Sequence, residues 1–512
     1  RNVNYFFHYY KVPEGLESDE VLSLRGEAYF LRAYWHFYLL TRFGDIPLMD
    51  GFWDDNATVA GLQKPASKRS DVARFILNDL KAAIGQVPEA RASLFERSKY
   101  SGLRISKEAA TILAMRVALY EGSWEKYHKG TKFATEDNHT EFFQEVMKWG
   151  DEQFFKSKLA LNTKDTDKEY VNAEDAFAHL FNKKDLSQIQ EAVLWKKYSV
   201  ADGVFHRLGA LLASGAVDGQ GPSGLSKSLV DNYLNADGTF INPKDEKYKD
   251  FNEMFKERDA RLLVTVMHSG PDCKYRASSP TNKPMNVRAY DATGTEDEMK
   301  EKNEDIVSPN LNGDGNSKSV TGFHIRLGID TTYVDNESET VVVLFRYAEG
   351  LLCYAEAAEE LDLCTDDVLN KTLKPLRERA GVTYVKPTKA DPNFPFTGLS
   401  PVLQEIRRER RSELDDLMRW AVAGTLKGQD GRGRGAYLGE DGVLYKSFSP
   451  KGRESLKLVL KDNDGWTDPL QQCLPQGYLF DLNRDYLLPI PPDELQLNRE
   501  LKQNPGWGDA NE

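Results

Sequence analysis

Nowhere in the 512 residues does an apolar run approach the roughly 20 positions a helix needs to cross a bilayer. Arg1 to Tyr10 has neither a charged stretch leading into a long apolar one nor a cleavage site, so these residues are not read as an export signal. Positive charge is also short. Lys and Arg number 67 against 80 Asp and Glu, for a formal charge of -13 and a pI near 5.3. A nucleic-acid binder needs a basic stripe that displaces counterions from phosphates, so this balance argues against nucleic acid as a partner. Cysteine is sparse: Cys273, Cys353, Cys364 and Cys473 show no C-x-x-C spacing, which indicates neither a zinc site nor a dense disulfide framework. The eight histidines never fall at the two-His helical spacing of a zinc enzyme, and no G-x-S-x-G elbow is present. A glycosidase pair is not excluded by this inventory, because two carboxylates from distant loops leave no local signature.

What remains is a globular composition, 40% hydrophobic and 29% charged, long enough for one large domain or two packed lobes. Helical periodicity dominates. Phe30, Ala33, Phe37 and Leu40 share one face of a helix over Gly26 to Phe43. Ser70 and Asp71 are expected to cap a second helix that Gly85 and Pro88 end. A third is expected from about Lys107 to Tyr120 and a fourth from Phe142 to Phe155, with later helices over Phe345 to Leu361 and Val402 to Trp420. Trp35 and Trp149 fall on helix faces and are expected in the core. Four amphipathic helices in the first third suggest stacked helix pairs, although no clean repeat of about 34 residues is visible. Polar, glycine-rich tracts at 216–227, 269–321, 383–400 and 424–467 separate the helical blocks, and binding loops are expected there. Strand-like runs at Thr340 to Leu344 and Leu456 to Leu460 are too few for a central sheet.

Gly219, Gly221 and Gly224 match a dinucleotide fingerprint, but no buried strand precedes them and Pro222 interrupts the turn, so a nucleotide site is not expected. Asn310, Asn312, Asp314 and Gly315 resemble the opening of a calcium loop. Thr321 stands where the closing Glu should be, so the expectation is a turn without metal, and no cofactor. The run Arg407-Arg408-Glu409-Arg410-Arg411 reads as a salt-bridged helix face. Loop aromatics are the positive chemical signal: a pyranose has a flat C-H face ringed by hydroxyls, which suits a stacking ring flanked by polar groups. Trp53 with Asp54 and Asn56, Trp195 beside Lys196, Lys197 and Tyr198, Tyr275 beside Arg276, Tyr290 near Arg288, and Trp466 near Asp464 have that composition. For each, the competing reading is a half-buried ring that anchors its loop.

In chain order, several blocks resemble the SusD/RagB family of outer-membrane nutrient-binding lipoproteins. Arg25-Gly26-Glu27-Ala28-Tyr29-Phe30-Leu31-Arg32-Ala33-Tyr34 followed by Arg42-Phe43-Gly44-Asp45-Ile46-Pro47-Leu48 is similar to the family's signature helix and its exit. Similarity continues at Arg104 to Tyr120, Leu229 to Tyr233, Arg258 to Leu262, Arg346 to Glu349, Leu376 to Gly381, Tyr486 to Pro491 and Gln503 to Trp507. The block Glu409 to Leu414 runs straight into Asp415 to Trp420, where the family usually has a further Gly- and Arg-containing stretch. The resemblance implies a mostly α fold, with tetratricopeptide-like helix pairs in a right-handed superhelical scaffold and a loop-rich ligand-binding region. Its parts would be 1–160, 161–340 as a loop-rich insert, and 341–512, all within one unit. It further implies glycan capture without catalysis, at the outer face of the outer membrane, with a lipid anchor and a SusC-like TonB-dependent transporter as partner. Peptide cargo on the same architecture is the alternative; a helical glycoside hydrolase and an intracellular tetratricopeptide adaptor are weaker ones.

Overall fold

The computed structural model describes residues 2–12, 15–52, 63–90, 102–165, 168–169, 172–207, 224–268, 319–328, 337–410, 414–426, 432–446, 448, 450–457 and 459–508. Its first third is a run of helices: α1 (Asn2–Tyr9), α2 (Asp19–Phe43), α3 (Arg69–Ile84), α4 (Lys107–Tyr127) and α5 (His139–Glu152). Each of α2 to α5 packs on the next. α4 lies in the middle of this stack and is buried at nearly every position from Glu108 to Glu125, its buried carboxylates meeting partners such as Arg69 on Glu121. Ser106 caps it, its hydroxyl accepting the Ala109 N–H. Small residues set the spacing: a Cβ on Gly122 would lie 2.9 Å from the Phe143 ring of α5.

Two differences from the sequence reading lie in this block. Ser70 does not cap α3. The N-cap is Lys68, which offers no side-chain oxygen, and Asp45, at the exit of α2, accepts the Arg69 N–H at 2.9 Å instead. The Ser70 hydroxyl is thereby free to donate to Glu125 of α4 at 2.6 Å. Trp35, expected in the core, is 56% exposed, whereas Trp149 is buried at 5%. Helical period identifies faces but not which face has a neighbour.

Downstream, α6 (Ala173–Asn182), α7 (Ala260–Thr265), α8 (Tyr347–Glu360), α9 (Leu373–Arg379), α10 (Pro401–Arg410) and α11 (Leu414–Arg419) complete the helices that matter here. Strand content is slight. β1 (Lys164–Asp165) pairs with β2 (Lys168–Glu169), and β3 (Ala192–Lys196) pairs antiparallel with β4 (Val342–Arg346). Leu456 to Leu460, expected as a strand, instead ends the helix Pro450–Leu456. α8 packs on α4, α5 and α10, and its contact with α5 is close. A Cβ on Gly150 would lie 2.3 Å from Tyr354, and one on Gly350 would lie 2.2 Å from Phe154.

Behind α8 lies a buried ionic layer. Glu356, fully buried, accepts from Arg419 at 2.8 and 2.9 Å and from the Trp420 indole at 2.7 Å. Arg410 and Arg407 approach it at 3.4 and 3.8 Å. Glu409 joins Arg261 of α7 to Arg377 of α9. The arginine run of α10 is therefore salt-bridged as expected, but it faces inward.

Candidate functional site

The helix exit after α2 is dictated by Gly44, whose φ of +72° and C-cap N–H bond to the Leu40 carbonyl turn the chain sharply. From there the chain returns: the Ser67 N–H donates to the Ile46 carbonyl at 2.9 Å, and Lys64 Nζ reaches the Leu48 carbonyl at 3.3 Å and Asp50 at 3.1 Å. The Lys64 ammonium holds the Asp50 carboxyl below its usual range. These contacts close the neck of a segment containing residues 53–62.

Both sides of that neck are tied down. On the entering side, Asn4 of α1 donates to the Met49 carbonyl at 2.7 Å and Arg32 of α2 to the Asp50 carbonyl at 3.4 Å. His36 accepts the Met49 N–H at 3.4 Å while its Nδ1 meets the Arg32 carbonyl at 2.8 Å. Burial pushes its pKa below the usual value, so the neutral ring that donates from Nδ1 and accepts at Nε2 suits both contacts. Arg32 is the hub: it forks onto Asp79 of α3 at 2.7 Å twice, bonds Asn4 at 3.2 Å, and lies 4.9 Å over Phe7. On the leaving side, Asn498 donates to the Lys64 carbonyl at 2.7 Å and Gln63 to the Leu497 carbonyl at 3.0 Å.

Beside the neck lies a surface of rings. Phe52, the last described residue before the segment, stacks on His8 at 4.4 Å and meets Tyr9 and Tyr5 edge-on at 5.3 and 5.7 Å. Tyr5 and Tyr9, one helical turn apart on α1, are 55% and 56% exposed. Sequence reading passed over Tyr5, His8 and Tyr9, although the i, i+4 spacing of two tyrosines was a usable signal. A cluster of open faces with hydroxyl tips can hold a ligand that is apolar on one side and hydroxylated at its rim. Among the described residues no group of three or more His, Cys, Asp or Glu could hold a metal ion.

The other expected platforms fall out differently. Trp53, Asp54, Asn56, Tyr275 and Tyr290 lie outside the described residues, as do the calcium-like segment 310–315 and the glycines Gly219 and Gly221. Trp195 is not a loop platform. It sits in β3, 2% exposed, with its backbone N–H donating to the Gly102 carbonyl at 2.9 Å and its indole 2.4 Å from where a Cβ on Gly102 would be. Trp466, 9% exposed, packs edge-on against Tyr437 at 5.2 Å with Lys227 Nζ 4.4 Å over its ring. Both rings are spent on packing.

Residues 190–507 match the model of the SusD family, and residues 2–119 match a family described as starch-binding and associating with the outer membrane. The chain belongs to the SusD family. It is 23% identical over 497 residues to SusD-like protein P2 of Formosa agariphila, covering 96% of this chain and 75% of that one. Among solved structures, a SusD-like carbohydrate binding protein of Bacteroides fragilis superposes with a TM-score of 0.63 at 20% identity, over 98% of this chain and 83% of the other. A surface glycan-binding protein A of Bacteroides fluxus does so with a TM-score of 0.51 at 17% identity, over 99% and 82%. The tetratricopeptide-like helical architecture of this SusD-family chain is thus shared.

Proposed function

We propose that this SusD-family chain captures glycans at the cell surface, without altering them, on the ring surface of Tyr5, His8, Tyr9 and Phe52 together with the adjoining residues 53–62. The observation that carries this reading is the open aromatic cluster beside a segment whose neck is fastened on both sides. Trp53, Asp54 and Asn56 follow Phe52 directly in sequence, and their residue types are those that stack on a sugar and read its hydroxyls. The family description, starch-binding and outer-membrane-associated, supports it, as do the names of the relatives. Handover to a SusC-like TonB-dependent transporter and attachment to the outer face of the outer membrane through a lipid anchor complete the reading.

Affinity is modest by this chemistry. Sugar hydroxyls exchange water for protein, so each hydrogen bond nets only about 0.5–1.5 kcal/mol, and stacking supplies a similar amount. Affinity electrophoresis through gels carrying plant, host and microbial polysaccharides tests the reading, with oligopeptides titrated in parallel. Retardation by at least one polysaccharide, lost in Tyr9→Ala/Phe52→Ala, is the expected result. Binding of oligopeptides alone, release of reducing sugar by the purified chain, or no retardation anywhere would overturn it.

A further inference from the structure

A second concavity, of about 630 Å³, opens between α2, α4, α6, β4 and α8, within the ~300–1,000 Å³ range of small-molecule sites. Tyr34, Tyr38 and Leu344 stand at its rim, 36%, 40% and 50% exposed. Seven arginines line it against three carboxylates, although the whole chain carries -13.

Much of this charge is matched. Arg116 forks onto Glu349 at 2.5 and 2.8 Å, Arg261 is held by Asp259 and Glu409, Arg346 pairs with Glu191 at 3.2 Å, and Arg410 and Arg419 share Asp416 and Glu356. Two arginines depart from the pattern. Arg42, at the rim, has no ion-pair partner among the described residues; it donates to the Tyr38 carbonyl at 3.3 Å and lies 3.8 Å over the Tyr38 ring. Arg379, on the wall, has a side chain only 2% exposed and gives Nη1 to Glu191 at 2.6 Å, yet its Nε meets no acceptor among the described residues. A buried guanidinium donor without an acceptor is costly. That nitrogen is sealed from the cavity, so the unpaired guanidinium open to an entering oxyanion is that of Arg42, whose planar fork suits carboxylate or sulfate. Phe181, half-buried on the same wall, has the Arg346 guanidinium 5.7 Å from its ring centre.

We propose that this cavity is a second ligand site, separate from the ring surface at Phe52, that takes a sugar unit bearing an acidic group, a hexuronate or a sulfated hexose. The acid group pairs with Arg42 at the rim, and the sugar ring lies among Phe181, Tyr34 and Tyr38. The sugar part of this assignment rests on the glycan-capture reading, whereas the acid part rests on the arginines alone.

The test is calorimetric titration of the full chain with glucuronate, galacturonate, glucose 6-sulfate, glucose and sodium sulfate at low ionic strength. At least one acidic sugar is expected to bind, more tightly than glucose and than free sulfate, and to weaken as salt rises. Arg42→Ala removes one charged contact and should weaken it by about tenfold. Leu344→Trp, at an exposed rim position, narrows the mouth and should weaken it without unfolding the chain. Phe52→Ala should leave it unchanged. No binding of any acidic sugar, equal binding of glucose, binding of inorganic sulfate alone, or indifference to both cavity variants would overturn the assignment. Retention of polysaccharide in gels alongside such a failure would leave glycan capture at Phe52 standing.

Discussion

Replacing Glu356 by Gln keeps shape and volume and removes one charge from the centre of the ionic layer, so its consequence can be worked from the contacts. The carboxylate is fully buried and accepts two bonds from Arg419 and one from Trp420, with Arg410 and Arg407 within 4 Å. Burial by itself would raise its pKa, but Arg419, Arg410 and Arg407 outweigh burial and hold it below the ordinary value. With Gln, the amide can still serve Trp420 or one Arg419 nitrogen, but its NH₂ then faces a guanidinium, leaving Asp416 and Glu360 to balance Arg407, Arg410 and Arg419. Stranding a buried cation in this way costs about 3–5 kcal/mol. The assay is urea unfolding followed by far-UV circular dichroism, compared with Lys68→Ala, which breaks the exposed pair between Lys68 and Glu136. Glu356→Gln should lower the urea midpoint clearly and Lys68→Ala should leave it unmoved. Equal midpoints for the two would refute the claim that this layer holds α8, α10 and α11 together.

Glu125 gives a pH signature of opposite sense. Burial pushes its carboxyl up to about 7 against an ordinary 4.5, despite the opposing Ser70 bond. The folded chain therefore holds a proton that the unfolded chain releases, so this contribution is complete below pH 4.5 and is lost as pH rises through 7. Glu125→Gln, with Nε2 toward Ser70 and Oε1 toward the Asn138 N–H, should flatten the decline in urea midpoint between pH 5 and 8; an unchanged slope would count against it. Gly150→Ala and Gly350→Ala should each destabilise by about 1–3 kcal/mol, because Tyr354 and Phe154 occupy the space of the new methyl; thermal melting measures this. Trp195→Ala should cost about 3–5 kcal/mol while leaving glycan affinity per folded molecule unchanged, which gel retardation at low temperature would show.

The helices were legible because their buried faces repeat at helical period, and Gly44 with its flanking motif marked where α2 must end. Their extents were less so: Ser70 looks like a cap until Asp45, arriving from another element, does that work. Trp35 shows the same blindness from the other side, since a ring on a helix is buried only if something packs there. Trp195 and Trp466 were singled out because a core ring that anchors an irregular segment has the same neighbours in sequence, lysine and aspartate, as a ring that meets a sugar. The Phe52 surface needed the fold to appear, because α1 and the exit of α2 lie some forty residues apart in the chain. In the arginine run of α10 local spacing reveals the Arg408–Glu405 pair, whereas the other partners come from α7, α8, α9, α11 and Asp391, which no local spacing reveals.

The far C-terminal segment reaches back to the exit of α2. Asn504 donates to the Phe43 and Leu488 carbonyls, Leu488 N–H to the Arg42 carbonyl, and Asn498 and Leu497 grip Lys64 and Gln63. The turn after α2 is thus fastened by side chains 434 and 461 positions away in the chain, so these contacts exist only when the helical blocks between them have assembled. Replacing Asn498 or Asn504 is accordingly a way to loosen the grip on that turn without touching the rings.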